Sequence, residues 1–297
     1  MSIMRYAGAA IGAALAISTV AARAQDAADW RDIETKYVFG FTEGSGIGLE
    51  GEKEFSVDTE ARMGKRDGRY FASESKLEFE FTPNQYVQFE MGPFVSAHAI
   101  SGVSGLDDRH QLGIGGLFGE MRYLLLDRGP SSPLALTLSA EPEWRRLDET
   151  SGARVNNLEL ELKLNADLEL IKNRLYLGSN LLYEPEGTHD PDGVGAGWAM
   201  ESKTGISGAL ALRVAPSTLI GAEVWYLRHY NGAWMNDYTG DAVYVGPTLF
   251  VQLNNKMFVT AAWNVQVAGS ETDNPGVSLN LAEFSRQRAK LKVAVEF

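Results

Sequence analysis

Strict alternation of apolar and polar residues is the feature that most constrains this chain. Between Leu158 and Leu170 every second residue is leucine or alanine, and the residues between them are Glu, Lys, Asn or Asp. Side chains of a β-strand alternate between two faces, whereas a helix would scatter these leucines around its axis. The segment from Ala289 to Phe297 repeats the alternation, with Lys290, Lys292, Ala294 and Glu296 between its apolar positions. The chain is therefore predicted to consist of long strands.

Twelve strands with unequal connections are predicted. The segments are 52–63, 70–81, 86–99, 112–126, 134–147, 158–170, 175–183, 202–214, 219–230, 243–253, 257–268 and 285–297. Short turns such as Pro83-Asn84 alternate with longer polar stretches such as 185–200 and 269–284. Hydrocarbon offers no partner to an unpaired strand edge, so a spanning sheet must close on itself. We predict an all-β fold: a closed antiparallel transmembrane β-barrel of about 12 strands, with short periplasmic turns and long extracellular loops.

A soluble β-sandwich is the alternative fold, because it also uses alternating strands. The predicted strands exceed the usual soluble length and suit a tilted crossing of about 25 Å of apolar thickness. Charged residues also recur on one face of strand after strand, as a water-filled lumen requires. These two features favour the barrel.

The N-terminus carries the pattern of an export signal. Arg5 precedes an alanine-rich apolar run over 7–20, and Ala22-Arg23-Ala24 offers the small residues that a signal peptidase recognises. A membrane anchor is the alternative, but the run is short for a span. We expect three parts: a cleaved signal peptide at 1–24, a periplasmic segment or lumen plug at 25–51, and the barrel at 52–297. The expected location is the cell outer membrane.

Composition excludes several classes of function. Asp and Glu total 39 against 27 Lys and Arg, which argues against nucleic-acid binding, since that needs clustered cations. The absence of cysteine excludes a disulfide framework, a thiolate metal site and a cysteine nucleophile. The Asp190-Pro191-Asp192-Gly193 segment offers too few ligands for calcium and is interpreted as a turn. No cofactor and no metal site are expected.

Charged residues on the inward face are the candidate lumen-lining and binding residues. They are Glu54, Asp58, Glu60, Glu74, Glu78, Glu80, Glu159, Glu161, Arg286, Arg288, Lys290 and Lys292. In a closed barrel the last strand pairs with the first, so the four basic residues should face the acidic residues of the first strand. Such pairs contribute about 0.2–1 kcal/mol each and help fix the closing register.

Two interpretations of these charges are open. They can form a structural ladder that closes the barrel, or a transverse field that orients charged solutes inside a constriction. Acidic residues outnumber basic ones on the rest of the predicted wall, which predicts a weak preference for cations.

The last strand resembles the C-terminal signature of Gram-negative outer-membrane β-barrel proteins. Those proteins end in a strand with a terminal Phe and apolar residues at alternate positions, matched here by Phe297, Val295, Val293 and Leu291. The resemblance implies that the barrel assembly machinery recognises this strand, and that outer-membrane lipids surround the barrel.

A second resemblance lies before the first strand. The run Lys36-Tyr37-Val38-Phe39-Gly40-Phe41, followed by Thr42-Glu43-Gly44-Ser45-Gly46, leads into Glu52-Lys53-Glu54-Phe55. It is similar to the opening of outer-membrane proteins grouped with the meta-pathway phenol-degradation family, barrels presumed to pass small, often aromatic, molecules. The resemblance implies a role in transport of small organic solutes.

Three functions follow in order of preference. The first is a channel or transporter for passive uptake of small molecules, without enzymatic activity. The second is a plugged barrel that serves as a structural or surface-binding protein. The third is a rim hydrolase using His110, beside Asp107 and Asp108, or His189 beside Asp190, all in predicted outer loops. Charged, solvated loop residues are the preferred interpretation of these groups, and the oligomeric state is left open.

Overall fold

The computed structural model describes residues 34–129, 132–189 and 197–297. The predicted signal peptide and the Asp190–Gly193 turn lie outside these residues. A short 3₁₀ turn, Thr35–Tyr37, precedes twelve strands. The strands are β1 (Lys53–Met63), β2 (Arg69–Asn84), β3 (Val87–Ser101), β4 (Arg109–Leu126), β5 (Leu134–Leu147), β6 (Arg154–Ile171), β7 (Leu175–His189), β8 (Ala199–Ala215), β9 (Thr218–Asn231), β10 (Asp237–Asn254), β11 (Met257–Glu271) and β12 (Gln287–Glu296).

The sheet closes on itself. Each strand pairs antiparallel with its sequence neighbours, and β1 pairs with β12 to complete the ring. Closure leaves no strand edge without a partner, which is the condition for a sheet in hydrocarbon. The predicted closed antiparallel barrel of twelve strands is confirmed. No helix in the described part of the chain is long and apolar enough to cross a membrane.

The two faces of the sheet have the reverse of a soluble protein's polarity. On β4, Leu112, Ile114 and Leu117 point outward and are 76%, 60% and 54% exposed. On β6, Asn165 and Asp167 point inward and are buried. Large apolar side chains outside and polar side chains inside are the pattern of a barrel that faces lipid. The alternation that predicted the strands therefore also separates lipid face from lumen.

The two ends of the barrel differ in their connections. The turn end, where β1 begins, carries the connections 85–86, 127–133, 172–174, 216–217 and 255–256. The loop end carries 64–68, 102–108, 148–153, 190–198, 232–236 and 272–286.

Several strands extend further toward the loop end than predicted. The stretch 185–200 was expected to be a loop, but β7 continues to His189 and β8 begins at Ala199. Apart from Met200, the side chains of β7 and β8 in this region are polar or small, so the alternation fades while backbone pairing continues. The extension matters because it carries Glu186 and Glu201 on the inward face.

Candidate functional site

Residues 34–51 lie against inward-facing side chains of the barrel at its turn end. The ammonium of Lys36 is buried and lies 2.6 Å from Glu80 and 2.9 Å from Glu90. Tyr37 donates a hydrogen bond to Glu80 and stacks on Phe258 of β11, with ring centroids 4.9 Å apart. The segment is thus held by both charge and aromatic packing.

Lys36 sits on a row of glutamates that runs sideways across neighbouring strands. The register places Glu54 opposite both Glu296 and Glu80, and places Glu90 opposite both Glu80 and Glu120. We call these five residues, on β12 and β1–β4, the turn-end arc. Like charges directly opposite each other destabilise a sheet, so this arc requires a compensating cation. Lys36 supplies it.

The electrostatic effect on Lys36 follows from this placement. Burial alone would lower the pKa of the Lys36 ammonium. Glu80, Glu90 and Glu120 overcome that effect and hold its pKa well above the ordinary value. The ammonium therefore stays charged inside the barrel.

A second set of contacts fixes the middle of the segment. Glu223 of β9 accepts hydrogen bonds from the backbone N–H groups of Phe41 and Thr42, at 3.1 and 2.8 Å. Glu43 pairs with Arg122 of β4 and Lys163 of β6, each at 2.6 Å. These bonds satisfy backbone and charged groups that would be costly to bury alone. Residues 34–51 thus bind the wall at opposite sides of the lumen.

The wall is shaped to receive the segment. Phe39 is fully buried against Gly178 of β7, where an added Cβ would lie 2.7 Å from the Phe39 ring. Gly40 has φ +135°, a conformation that other residues rarely adopt. An added Cβ at Gly40 would also meet Ala262 at 2.8 Å. Glycine is required at both positions for this close approach.

The loop-end half of the lumen contains a cavity of about 450 Å³. Seventeen acidic and ten basic side chains line it, together with apolar patches that include Phe41, Leu182 and Trp225. The wall is therefore densely charged, with an excess of carboxylates. Residues 34–51 form the floor of this cavity through Lys36, Tyr37, Phe41 and Glu43.

A second row of glutamates faces this cavity. Glu143, Glu159, Glu186 and Glu201 lie directly opposite one another on the consecutive strands β5–β8, and we call them the loop-end arc. Cations from the wall itself accompany it. Arg145 contacts Glu143 and lies 3.3 Å from Glu159, and Lys203 lies 3.7 Å from Glu186.

The pairing of β12 with β1, which we call the closing seam, brings the predicted basic and acidic rows together. The register sets Lys292 opposite Asp58 and Lys290 opposite Glu60. Lys290 lies 2.9 Å from Asp58, and Lys292 reaches Glu78 of β2 at 2.6 Å. The seam is therefore a ladder of opposite charges.

The ladder departs from expectation at its two ends. Glu54 lies opposite Glu296, an acid, because the basic row stops at Lys292. Arg286 was predicted to line the lumen, but it precedes β12 and is exposed. Within the described residues, no carboxylate lies within 4.0 Å of the Arg286 guanidinium. The strand begins later than predicted because residues 272–286 form a loop.

The other predicted site residues lie on the inward face. Arg288 lies 3.4 Å from Glu60, and Glu74 lies 2.5 Å from Arg145. Glu159 and Glu161 line the cavity. On the outer face of β12, Leu291 is exposed, and Phe297, just beyond the strand, donates its backbone N–H to Lys53. Recognition of this strand by assembly machinery stays a prediction.

The histidines considered for hydrolysis do not share one site. His110 is exposed and contacts Ser101 at 3.3 Å, while Asp108 accepts a hydrogen bond from the backbone of Gly102. Among the described residues, no carboxylate lies within 4.0 Å of the His110 ring. His189 packs against Trp198, with ring centroids 5.9 Å apart.

Sequence reasoning missed three contributors to the site. Lys36 was noted only as part of a resemblance, because no local pattern marks its ammonium as the partner of Glu80 and Glu90. Glu186 fell in a predicted loop, and Glu201 just before a predicted strand. The pairing of these two residues depends on register between distant strands, which no local pattern reports.

Three solved structures are similar to this chain. An outer-membrane channel from Pseudomonas putida F1 is 12% identical, with a TM-score of 0.59, covering 85% of this chain and 97% of that one. The NanC porin is 9% identical (TM-score 0.48, 81% and 98% covered), and the KdgM porin is 10% identical (TM-score 0.45, 82% and 99% covered). At such low identity the channel from Pseudomonas putida F1 shows the fold alone, that of an outer-membrane β-barrel.

No curated protein matches this chain. The resemblance to the meta-pathway phenol-degradation family stays a prediction, because the family whose model matches bears a different description. That match extends over residues 32–297, so the chain belongs to the family of unknown function DUF6662.

Proposed function

We propose that this protein is an outer-membrane channel for passive uptake of small molecules, closed at its turn end by residues 34–51. The observation that carries the proposal is the division of one lumen into two halves. The loop-end half contains a charged cavity of about 450 Å³, and the turn-end half is occupied by a segment of the chain itself. A segment held by side-chain contacts can leave without breaking the barrel.

The chemistry of the wall supports a preference among solutes. Carboxylates outnumber cations around the cavity, and a low-dielectric wall of one predominant sign concentrates counter-ions. We expect weak selectivity for cations over anions. The apolar patches of Trp225, Leu182 and Phe41 can contact small organic solutes, including aromatic ones.

The proposal includes the location and orientation of the barrel. The apolar outer face suits the outer membrane, and short turns in such barrels face the periplasm. Export through a cleaved signal peptide would deliver the chain there, and the assembly machinery would insert it. Residues 34–51 then close the periplasmic side.

A plugged barrel with a structural or surface-binding role is the second candidate. The many bonds between residues 34–51 and the wall favour it, since they hold the segment firmly. The two candidates differ in whether the segment ever leaves the lumen.

Single-channel recording in a planar bilayer under a salt gradient tests the proposal. Refolded 25–297 should show small or infrequent conductance, and the 52–297 variant should conduct steadily with a reversal potential of cationic sign. A synthetic peptide of residues 34–51, added to the 52–297 variant, should restore closure. The same peptide with Lys36→Met is the matched control and should close the channel less well, since it lacks the buried ammonium.

Two outcomes would contradict the proposal. Silence from both protein forms, when far-UV circular dichroism shows that both are folded, would favour the structural barrel. A reversal potential of anionic sign would remove the cation preference.

A further inference from the structure

The loop-end arc ends at a cluster that differs from the rest of the wall. Glu186 of β7 and Glu201 of β8 lie directly opposite each other on the inward face. His229 of β9 is buried beside them, with its Nε2 3.2 Å from Glu201 Oε2. One ligand atom from each of these three side chains lies within 4.8 Å of the other two.

We propose that Glu186, Glu201 and His229 bind a divalent transition-metal ion of the Zn²⁺ class at the loop end of the lumen. Imidazole nitrogen and carboxylate oxygen together suit Zn²⁺, whereas Ca²⁺ prefers six to eight oxygen ligands. Ligand atoms of a tetrahedral Zn²⁺ site lie about 3.4 Å apart, so small rotamer changes close this cluster. Three protein ligands leave a fourth position for water or a solute.

The electrostatics of the cluster favour a cation. Two facing glutamates destabilise strand pairing, and the neighbouring cation, Lys203, is shared between Glu184 at 2.6 Å and Glu186 at 3.7 Å. Among the described residues, no Lys or Arg lies within 4.0 Å of Glu201, and a His229 that carries its proton on Nδ1 supplies no charge to it. In the turn-end arc an ammonium resolves the same conflict between facing glutamates, and here a metal ion does so.

The surroundings of His229 match those of a metal ligand. Metal-binding histidines usually donate their second ring N–H to an oxygen, often a carboxylate, which directs the other nitrogen to the metal. His229 Nδ1 lies 2.8 Å from Thr239 Oγ1 and 3.7 Å from Glu283 Oε2. With the Nδ1 proton directed there, the Nε2 lone pair points toward Glu201.

The cluster is also rigid and accessible. Its three ligands stand on adjacent strands of a closed sheet, which keeps their spacing fixed. All three line the cavity, so an ion can arrive from the loop end without passing residues 34–51.

Zn²⁺ titration of the untagged, folded full-length barrel by isothermal calorimetry tests the site, with Co²⁺ absorption reporting the coordination. We expect one Zn²⁺ per chain. His229→Gln should weaken binding by at least about tenfold, and Thr239→Val, which removes the hydroxyl that holds the Nδ1 proton of His229, by about tenfold. Lys203→Met should tighten binding, because it removes a competing cation.

His98→Gln is the matched control, a buried histidine outside the cluster, and should leave binding unchanged.

The proposal is overturned if the folded barrel binds no Zn²⁺ at submillimolar concentration, or if His229→Gln binds it as tightly as the unchanged chain. Far-UV circular dichroism and heat-dependent gel mobility establish that each variant is folded. Since the titration measures binding and not conduction, its outcome is independent of whether the barrel is a channel.

Discussion

The two halves of the lumen contain the same kind of acidic row but neutralise it differently. At the turn end, Lys36 enters from outside the sheet and lies between Glu80 and Glu90, while Arg122 of the wall lies 3.4 Å from Glu120. At the loop end, Arg145 and Lys203 belong to the wall itself. A cation on a separate segment can be withdrawn, whereas a cation on a strand cannot. If the barrel is the channel proposed above, opening and closing belong to the turn end, and solute contact belongs to the loop end.

Removing the cation of the turn-end arc should have the largest effect. Lys36→Met leaves Glu80 and Glu90 buried without their partner, and breaking such a pair costs about 3–5 kcal/mol. Hydrogen exchange of residues 34–51 in the detergent-solubilised barrel should accelerate by about two to four orders of magnitude. Lys256→Met, at an exposed lysine in a turn, is the control and should leave that exchange unchanged. Equal exchange in both variants would mean that the ammonium does not hold the segment.

Neutralising the loop-end wall should have a smaller effect, confined to selectivity. A unit charge 10 Å from the solute path contributes about 0.4 kcal/mol in water, or roughly a factor of two in permeability ratio. Glu159→Gln combined with Glu161→Gln should therefore reduce cation preference by a few-fold in reversal-potential measurements on the 52–297 variant. Each residue lines the cavity, whereas Asp127, between β4 and β5, does not line it and is exposed. Asp127→Asn in the same 52–297 variant should leave the reversal potential unchanged, and an equal change there would contradict the assignment.

The smallest effect concerns pH at the loop end. Burial lowers the pKa of the Lys65 ammonium to about 8, with Arg62 adding to the effect while Glu283 and Glu149 oppose it. Lys65 donates hydrogen bonds to the carbonyls of Ala282 and Glu283. As pH rises through about 8 the ammonium loses its charge, so cation preference should increase between pH 7 and pH 9.

The same shift affects stability in a defined direction. Because the folded-state pKa of Lys65 lies below the ordinary value of 10.5, the unfolded chain binds more protons between those values. Folding should therefore become slightly more favourable as pH rises from about 8 to 10.5. Lys65→Arg keeps its charge throughout this range and should lose both effects. A pH dependence that persists in Lys65→Arg would assign it to another group.

The fold was largely predictable from sequence, because alternation is a local property. Every second residue of β6 and β12 reports which face it occupies, and hydrocarbon then requires that the sheet close. The contacts of the closing seam were also predictable, because closure pairs the last strand with the first. A basic last strand beside an acidic first strand predicts contacts such as that of Lys290 with Asp58.

The candidate sites were less predictable, because they depend on register and on a segment without periodicity. Glu186 and Glu201 become neighbours only when β7 and β8 extend past the apolar belt, where alternation has faded. The contact of Lys36 with Glu80 and Glu90 joins positions 44 and 54 residues apart. Neither the local composition nor the local spacing of residues predicts contacts between positions so far apart in the sequence.

The charged seam also affects how such a barrel is assembled. Lys292 and Glu78 are separated by 214 residues, and Arg288 and Glu60 by 228, so their contacts join the two ends of the barrel sequence. Loop-closure entropy makes such contacts the last to form, after the hairpins between sequence neighbours. Opposite charges on the two free edges attract each other over roughly a Debye length and disfavour a slipped register. The charged pairs between β12 and the first two strands should therefore also favour the correct alignment of these strands when the barrel closes during assembly.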